Sequence, residues 1–175
     1  GTVTALGAET ITLLDTGTVS AADLNTIDTG TSVAVAAAGV TGLSGTATAI
    51  NAAYAANTAG TITGLGNEAV TVTGAATAAD ITTVNTNTTG LVTVNSTAIT
   101  GTYAQIIALY AANNGTTLTG LANEAITITD ASLTVTQANA VDALTTGTVT
   151  ATIGANDIDT LATLTGTGNA YTVTV

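Results

Sequence analysis

The feature that most limits how this chain can fold is that its sequence nearly repeats itself. The segment Leu65–Thr73 returns as Leu121–Thr129, and a more divergent copy stands at Leu6–Leu14. Each copy contains one glutamate, and successive glutamates lie 59 (68 − 9) and 56 (124 − 68) residues apart: Glu9, Glu68 and Glu124. A regular spacing in this range is typical of arrays in which each unit buries its apolar side against its neighbours.

The repeat makes the whole chain, residues 1–175, a single repeat array rather than a set of domains. Its units are about 1–59, 60–114 and 115–169, and residues 170–175 open a fourth. Each unit splits into two halves of about 27 residues, and each half has a strand pattern followed by a helix pattern.

Composition restricts the core to small and β-branched side chains. Hydrophobic residues make up 46% of the chain, yet Phe, Trp, Met, Cys and Pro are absent and there are only four Tyr. Small and β-branched side chains pack well in thin layers that meet the same neighbours each time. The composition therefore favours a layered repeat core over a bulky aromatic one.

Alternation of Thr with Val or Ile predicts short strands at matching places in the units, because a period of two is typical of half-buried strands. One set opens the units, at 1–4, 60–63 and 115–119. The strongest set follows the repeated glutamate, at Thr10–Leu14, Ala69–Thr73 and Ala125–Thr129. A third set lies at Ser32–Ala36, Leu91–Val94 and Thr148–Thr152.

A hydroxyl residue followed three positions later by an acid or an amide predicts a helix start. Such signals begin at Ser20, Thr77 and Thr134. A second set of helices is predicted over Thr46–Asn57, Thr102–Asn113 and Asn156–Leu164, with Asn57 and Asn113 as left-handed C-caps. Helices this short are not stable alone and must be held by packing.

Together these patterns predict an α/β solenoid of about six coils, in which short parallel strands stack coil on coil with one short helix per half-repeat. Val, Ile and Leu should face inward and Thr outward. Shifts in the repeat spacing near 15–42 and 131–145 predict surface loops there. We also expect Glu9, Glu68 and Glu124 to line up along one axis of the stack.

Charge excludes two classes of partner. The chain has 11 acidic residues and no Lys, Arg or His, which gives a net charge of −11. Nothing in it can neutralise phosphate, so we expect no nucleic-acid binding, and an anionic membrane surface would repel it. No apolar run approaches the roughly 18–20 residues that span a bilayer, so no membrane insertion is expected. We interpret the chain, which has no initiator Met, as a mature segment or a piece of a longer array.

The sequence predicts no catalytic residue and no bound cofactor. Without His, Cys or Lys, neither a Ser/His/Asp or Cys/His nucleophile nor a Schiff base can be assembled. Paired carboxylates stay open in principle. The acids recur once per repeat, however, as features of a scaffold do, and we expect no enzyme.

Calcium is the one metal ion to consider, because it takes oxygen ligands whereas soft metals need His or Cys. Candidate ligands are Asp157 and Asp159, two positions apart, and Asp15 near Asp23. In the simpler interpretation Asp23, Asp80 and Asp159 lie in the first turns of helices, where negative charge is favourable. We predict no metal site and keep Ca²⁺ as the open alternative.

The recurring residues have both structural and functional interpretations. The glutamates either display a row of carboxylates down one edge or, as we favour, accept turn amide protons and fix the corner of each coil. Tyr54 and Tyr110, 56 residues apart, are expected in the core rather than as platforms for sugars. The turn Gly64-Leu65-Gly66 lacks the lysine and the glycine spacing of a phosphate-binding loop.

Thr-x-Thr runs suggest a binding surface. They lie at 71–73, 127–129, 148–150 and 172–174. In register they would form flat ladders of Thr similar to those of β-solenoid ice-binding proteins. The simpler interpretation is that Thr is a favourable residue for an exposed strand.

Two patterns carry a resemblance to a known class of proteins. Leu-Gly-Asn-Glu-Ala-Val-Thr-Val-Thr (65–73) and Ser-Ala-Ala-Asp-Leu-Asn-Thr-Ile-Asp (20–28) resemble repeats of giant secreted surface proteins of bacteria, notably cyanobacteria. The resemblance covers nearly the whole chain and implies a sheath, adhesive, motility-associated or other cell-surface role. It implies no catalytic residue.

We therefore predict a structural repeat protein of an extracellular filament, sheath or surface layer. Its partner would be itself, in a homopolymer formed by head-to-tail stacking, and its location extracellular or on the cell surface. The alternative is a binding module, an adhesin or phage-fibre segment that grips a carbohydrate or ice surface. The sequence names no surface ligand.

Overall fold

The computed structural model describes residues 6–154 and 157–174, in which short strands alternate with short helices. The strands are β1 (Ile11–Thr12), β2 (Thr18–Ser20), β3 (Val35–Ala36), β4 (Gly42–Gly45), β5 (Ile62–Thr63), β6 (Ala69–Thr73), β7 (Ala76–Thr77), β8 (Val92–Asn95), β9 (Ala98–Gly101), β10 (Leu118–Thr119), β11 (Ala125–Ile128), β12 (Val149–Ile153) and β13 (Ala170–Val173). The helices are α1 (Ala21–Gly30), α2 (Ala47–Ala59), α3 (Ala78–Asn87), α4 (Tyr103–Ala111), α5 (Val135–Asp142) and α6 (Ile158–Leu161).

All strand pairs among the described residues are parallel, and the strands form three sheets. Sheet 1 has the order β1-β3-β5, sheet 2 the order β10-β8-β6-β4-β2, and sheet 3 the order β13-β12-β11-β9-β7. Parallel neighbours cannot be joined by a tight hairpin, and here each connection runs through a helix or another sheet. The predicted α/β class with parallel stacked strands is confirmed.

Strands pair in a register that aligns apolar residues with apolar residues. In sheet 2, Leu43 is in register with Val70, Val70 with Val92, and Val92 with Leu118. These four side chains are at most 1% exposed. Burying one such side chain stabilises a fold by about 1.5–3 kcal/mol, and the row repeats that gain at each strand. The core is therefore a continuous stack of aliphatic rows.

Strands at equivalent places in the sequence repeat lie in successive sheets. Ile11, Val70 and Ile126 each follow a repeated glutamate by two residues, yet they lie in sheets 1, 2 and 3. Sheet 2 joins β2 and β4 of the first unit to β6 and β8 of the second, and β10 completes it. Each unit therefore continues the sheet begun by the unit before it and starts a new one.

Helix starts occur where the sequence predicts them. The N-caps include Ser20, Thr46, Thr77, Thr102 and Thr134, and each accepts a hydrogen bond from the backbone N–H three residues on. In α4 and α5 the third residue is a glutamine that bonds back to the cap, which completes a capping box. These local bonds fix where each strand turns into a helix.

Asparagine side chains tie neighbouring helices together. The Nδ2 of Asn25 in α1 donates to the carbonyl of Ala49 in α2 at 2.9 Å. The Nδ2 of Asn51 in α2 donates to the carbonyl of Asp80 in α3 at 3.1 Å. Both acceptors lie three residues after the N-cap of the next helix, so the same clamp holds successive helices in step.

Two local expectations are wrong, and a third cannot be compared. Asn57 and Asn113 are not left-handed caps, because α2 ends at Gly60 with φ of 83° and no other residue type has positive φ in the part of the chain that the structure describes. The two asparagines instead bind the backbone of Leu65 and Leu121 through their side chains. The segments 15–42 and 131–145 are not plain loops, because they contain α1 and α5. The predicted strand at 1–4 lies outside the described residues.

A close approach of backbones at Gly90 yields a stability prediction. A Cβ atom at Gly90 would overlap the carbonyl oxygen of Glu68, whereas one at Gly17 would meet nothing within 4 Å. We expect Gly90→Ala to lower the free energy of unfolding by about 1–3 kcal/mol, because the backbones must move apart. The matched control Gly17→Ala should change it by less than about 0.5 kcal/mol. Urea unfolding followed by circular dichroism measures both, and equal stability of the two variants would contradict the close contact.

Candidate functional site

The most unusual chemical feature of the structure is a pair of buried carboxylates in a chain without any cationic side chain. Glu68 is fully buried and Glu124 is 1% exposed. Both oxygens of Glu68 accept the N–H of Gly66, at 2.8 and 3.0 Å, and Oε2 also accepts the hydroxyl of Tyr54 at 2.9 Å. The charge is therefore solvated by a turn amide and a phenol instead of by a cation.

The same arrangement recurs in the next unit. Oε2 of Glu124 accepts the hydroxyl of Tyr110 at 2.8 Å and the N–H groups of Ala122 and Asn123 at 3.1 and 3.2 Å. In both units the tyrosine precedes the glutamate by 14 residues and lies in the helix before it. We call each pair a tyrosine–glutamate latch, because it fastens a helix to the turn before the next strand.

The backbone of each latch glutamate is held as well. The hydroxyl of Thr88 donates to the carbonyl of Glu68 at 2.8 Å, and Thr145 donates to that of Glu124 at 2.7 Å. The same threonine oxygens accept the N–H groups of Gly90 and Gly147, at 3.0 and 2.9 Å. Strands of successive segments are thereby joined at each latch.

The first unit departs from this pattern. Glu9 is exposed, and its carboxylate lies close to Gly7 rather than beneath a tyrosine. Glu9, Glu68 and Glu124 precede strands of three different sheets, so the expected single axis of glutamates is wrong. The favoured interpretation, in which the glutamate accepts turn amide protons, is confirmed for Glu68 and Glu124.

The latches change the acid–base chemistry of their tyrosines. Burial raises the pKa of the Tyr54 hydroxyl well above its ordinary value, and the neighbouring Glu68 carboxylate adds to the shift. Burial also raises the pKa of Tyr110, with the hydrogen bond to Glu124 as the second cause. Both phenols therefore stay protonated and donating under alkaline conditions in which an ordinary tyrosine ionises.

The candidate calcium ligands form two groups that are far apart in the sequence, Asp15 with Asp23 and Asp157 with Asp159. Asp15 and Asp23 line one opening of about 270 Å³, together with Thr18 and Ser20. Asp157 is the N-cap of α6, where its Oδ1 accepts the N–H of Thr160 at 2.7 Å, and this lowers its pKa. Asp23, Asp80 and Asp159 lie in first turns of helices, as the simpler interpretation predicts. No group of three or more acidic residues suited to a metal ion occurs within residues 6–154 and 157–174.

Hydroxyl side chains form two rows on the outer faces of the sheets, and these rows are longer than the Thr-x-Thr runs predict. In sheet 2 the row is Ser20, Ser44, Thr71, Thr93 and Thr119, in register throughout and half-buried. In sheet 3 it is Thr77, Thr100, Thr127 and Thr150, of which only Thr100 is half-buried and the others are exposed. Other threonines of the runs lie outside these rows: Thr73 is in register with Asn95, and Thr172 with Thr152.

The tyrosines and the glycine turn that the sequence offered as candidate sites take part in packing. Tyr54 is buried and Tyr110 half-buried, and both donate to the latch carboxylates as members of the packed interior. Gly64 has φ of 93° and its α-carbon faces the backbone of Ala38, so this turn serves the close packing of strands. No helix of the described residues has the length and apolar character needed to cross a bilayer.

Comparison with known proteins gives no relative. No protein-family model matches the chain, no curated protein matches it, and no solved structure matches its fold.

The Tyr54 latch yields a prediction about stability. Tyr54→Phe removes the only side-chain donor that the described residues offer to a fully buried carboxylate, and we expect the free energy of unfolding to fall by about 1–3 kcal/mol. Tyr103→Phe is the matched control, because its hydroxyl makes no hydrogen bond to a carboxylate in the described part of the chain. Urea unfolding of both variants measures the difference. A Tyr54→Phe protein as stable as the control would show that the latch contributes nothing.

The latches also predict how stability changes at alkaline pH. The folded chain keeps protons on Tyr54 and Tyr110 that the unfolded chain releases above about pH 10, so the folded state binds more protons there. The free energy of unfolding should therefore fall as pH rises above about 10. In the double variant Tyr54→Phe/Tyr110→Phe this fall should be smaller. Urea titrations between about pH 9 and about pH 11 test it, and identical slopes for the two proteins would count against the latches.

Proposed function

We propose that this chain is a non-enzymatic structural repeat protein: a solenoid that forms part of an extracellular filament, sheath or surface layer and assembles head to tail. The observation that carries the proposal is the in-register pairing of strands from successive segments of the chain. Each strand of sheet 2 pairs with a strand from the segment 22 to 27 residues away, and the aliphatic rows continue through every pair. We call each such strand–helix segment a rung.

The contacts between rungs support a role as a building material. The latches, the asparagine clamps and the register rows all join a rung to its immediate neighbours. An array with only nearest-neighbour contacts can be lengthened without a change of design. A chain of this kind is suited to bear load over a distance, and its two buried carboxylates are fully engaged with its own turns.

Charge and resemblance support the location. The surface carries only negative charge, which keeps copies soluble and limits unspecific association. The resemblance to repeats of giant secreted bacterial surface proteins favours an extracellular or cell-surface site. We propose no nucleic-acid partner and no membrane insertion.

A second candidate function is favoured by the hydroxyl rows. Thr77, Thr127 and Thr150 are exposed and in register with Thr100 between them, at the spacing of about 4.8 Å between paired strands. A regular row of this kind suits a repetitive solid surface, such as ice or a carbohydrate. Such a binding module would use the row as a monomer and would not need to polymerise.

Electron microscopy separates these proposals. The structural proposal predicts fibres of the purified chain whose axial repeat is about 30 Å, from about six rungs spaced by about 4.8 Å. Sedimentation velocity at rising protein concentration provides the parallel measurement in solution. A chain that stays a compact monomer at millimolar concentration would overturn the filament proposal and leave the binding module as the better one.

A further inference from the structure

An opening of about 390 Å³ lies at the corner where the chain passes from sheet 2 to sheet 3, in the middle of the chain. We infer that this opening binds one ring of a neutral sugar. The inference goes beyond the proposed functions, because it places a ligand at a corner of the stack instead of on a sheet face and requires no assembly. The lining of the opening comprises Val94, Asn95, Ser96, Thr97, Gly120 and Asn123.

The corner between the two sheets lengthens by one residue from rung to rung. The aligned threonines of sheets 2 and 3 are 6 residues apart in the rung of β6 and β7 (77 − 71), 7 apart in the next (100 − 93) and 8 apart in the one after (127 − 119). Because the strands on either side stay in register, the extra residues must bulge at the corner. The opening lies between the second and third of these corners, so the spacing of the sequence builds it.

The wall of the opening contains a buried hydroxyl group without a partner. Ser96 is 5% exposed, and its Oγ has no hydrogen-bond partner among the described residues. A buried polar group without a hydrogen bond is costly, and in native proteins nearly all such groups are satisfied. Rotation about the Cα–Cβ bond of Ser96 breaks no hydrogen bond and can turn the hydroxyl toward the opening that this residue lines. A ligand with a hydroxyl group of its own would satisfy it there.

The rest of the lining offers exposed hydrogen-bonding groups without charge. Asn95, Thr97 and Asn123 are all exposed. An amide side chain presents an acceptor oxygen beside an N–H donor group, and a hydroxyl both donates and accepts. Neighbouring hydroxyls of a sugar ring also donate and accept, at a short fixed spacing. Amide and hydroxyl side chains around one opening therefore match a sugar ring.

The same lining disfavours other classes of ligand. Its described residues include no acid, and the chain has no basic side chain, so neither a metal cation nor a phosphate finds a charged partner. The carboxylate of Glu124, next to Asn123, is already engaged in its latch, and its negative charge disfavours anions. Val94 alone of the described lining residues has a large apolar side chain, which is too little for an apolar ligand. A neutral ligand with several hydroxyl groups is the class that fits.

The volume of the opening and its lining set the size of the ligand and the strength of binding. Small-molecule sites typically have about 300–1,000 Å³, and the opening of about 390 Å³ lies at the small end of that range. The described lining residues include no aromatic side chain on which a sugar ring could stack. Binding therefore depends on hydrogen bonds, and we expect dissociation constants in the millimolar range.

Saturation-transfer NMR tests the site, because its signal is read on the ligand and is obtained from single chains and from assembled chains alike. The probes are the neutral methyl glycosides of glucose, galactose and mannose, with methyl glucuronide as the negatively charged counterpart. We expect saturable transfer to at least one neutral glycoside in the millimolar range. Transfer to methyl glucuronide should be weaker, because the chain has a net charge of −11.

Single substitutions locate the site. We expect Asn95→Ala and Ser96→Ala each to weaken binding by about five- to tenfold, because each removes a hydrogen-bonding group from the lining. Asn87→Ala is the matched control and should leave binding unchanged, because Asn87 is also exposed but lies at the end of α3, outside the opening. In urea unfolding, Ser96→Ala should keep the midpoint of the wild-type chain or raise it, since the Ser96 hydroxyl has no hydrogen bond to lose among the described residues.

Any one of four results would overturn the sugar site. The first two are the absence of transfer to every neutral glycoside and a preference for methyl glucuronide. The third is equal affinity of Asn95→Ala, Ser96→Ala and the wild-type chain, which would place sugar binding elsewhere. The fourth is a lower unfolding midpoint of Ser96→Ala, which would show that this hydroxyl serves the fold. Sedimentation and electron microscopy test assembly independently, so a failure of the sugar site is distinguishable from a failure of the filament proposal.

Discussion

Parallel hydrogen bonding between successive rungs is the interaction on which the rest of this structure depends. The described strands have only two to five residues, and strands this short are stable only when a neighbouring strand satisfies their backbone groups. The helices also depend on packing against their neighbours, since the longest has 13 residues and α6 has four. Stability therefore comes from the stack, and any feature that fixes the register of one rung on the next stabilises several elements together.

The latches are the clearest example of such a feature. A carboxylate buried without a cation is costly unless hydrogen bonds replace its water. Here the turn amides and a phenol do so, and the arrangement is possible only when the helix, the turn and the next strand are all in place. A chain without Lys, Arg or His can thus still use ionisable groups to specify its fold, through geometry instead of ion pairs.

The local parts of this fold were predictable, and the parts that depend on distant residues were not. The caps at Ser20, Thr77 and Thr134 follow from side chains within three residues. By contrast β4 (Gly42–Gly45) has no alternating pattern, and only its partners make it a strand. The rows of aliphatic residues could be foreseen from alternation, but their assignment to three sheets could not, since pairing is decided in space.

The candidate site, too, was predictable only in the features that depend on nearby residues. Tyr54 and Tyr110 precede Glu68 and Glu124 by the same 14 residues, and this common spacing was the available signal for the latches. The spacing alone does not predict that the tyrosine hydroxyl reaches the glutamate carboxylate, because the conformation of the turn between them determines the distance. Glu9 shows that the glutamate alone does not make a latch, because it is exposed and accepts no tyrosine hydroxyl among the described residues.

Each sheet begins in one repeat unit and continues in the next, and this arrangement has a mechanical consequence. Sheets 1 and 2 cross the boundary between the first and second units, sheets 2 and 3 cross the boundary between the second and third, and sheet 3 also reaches β13. A pull along the strand stacking would therefore meet backbone hydrogen bonds at every boundary between units, and none of these boundaries is held by side chains alone.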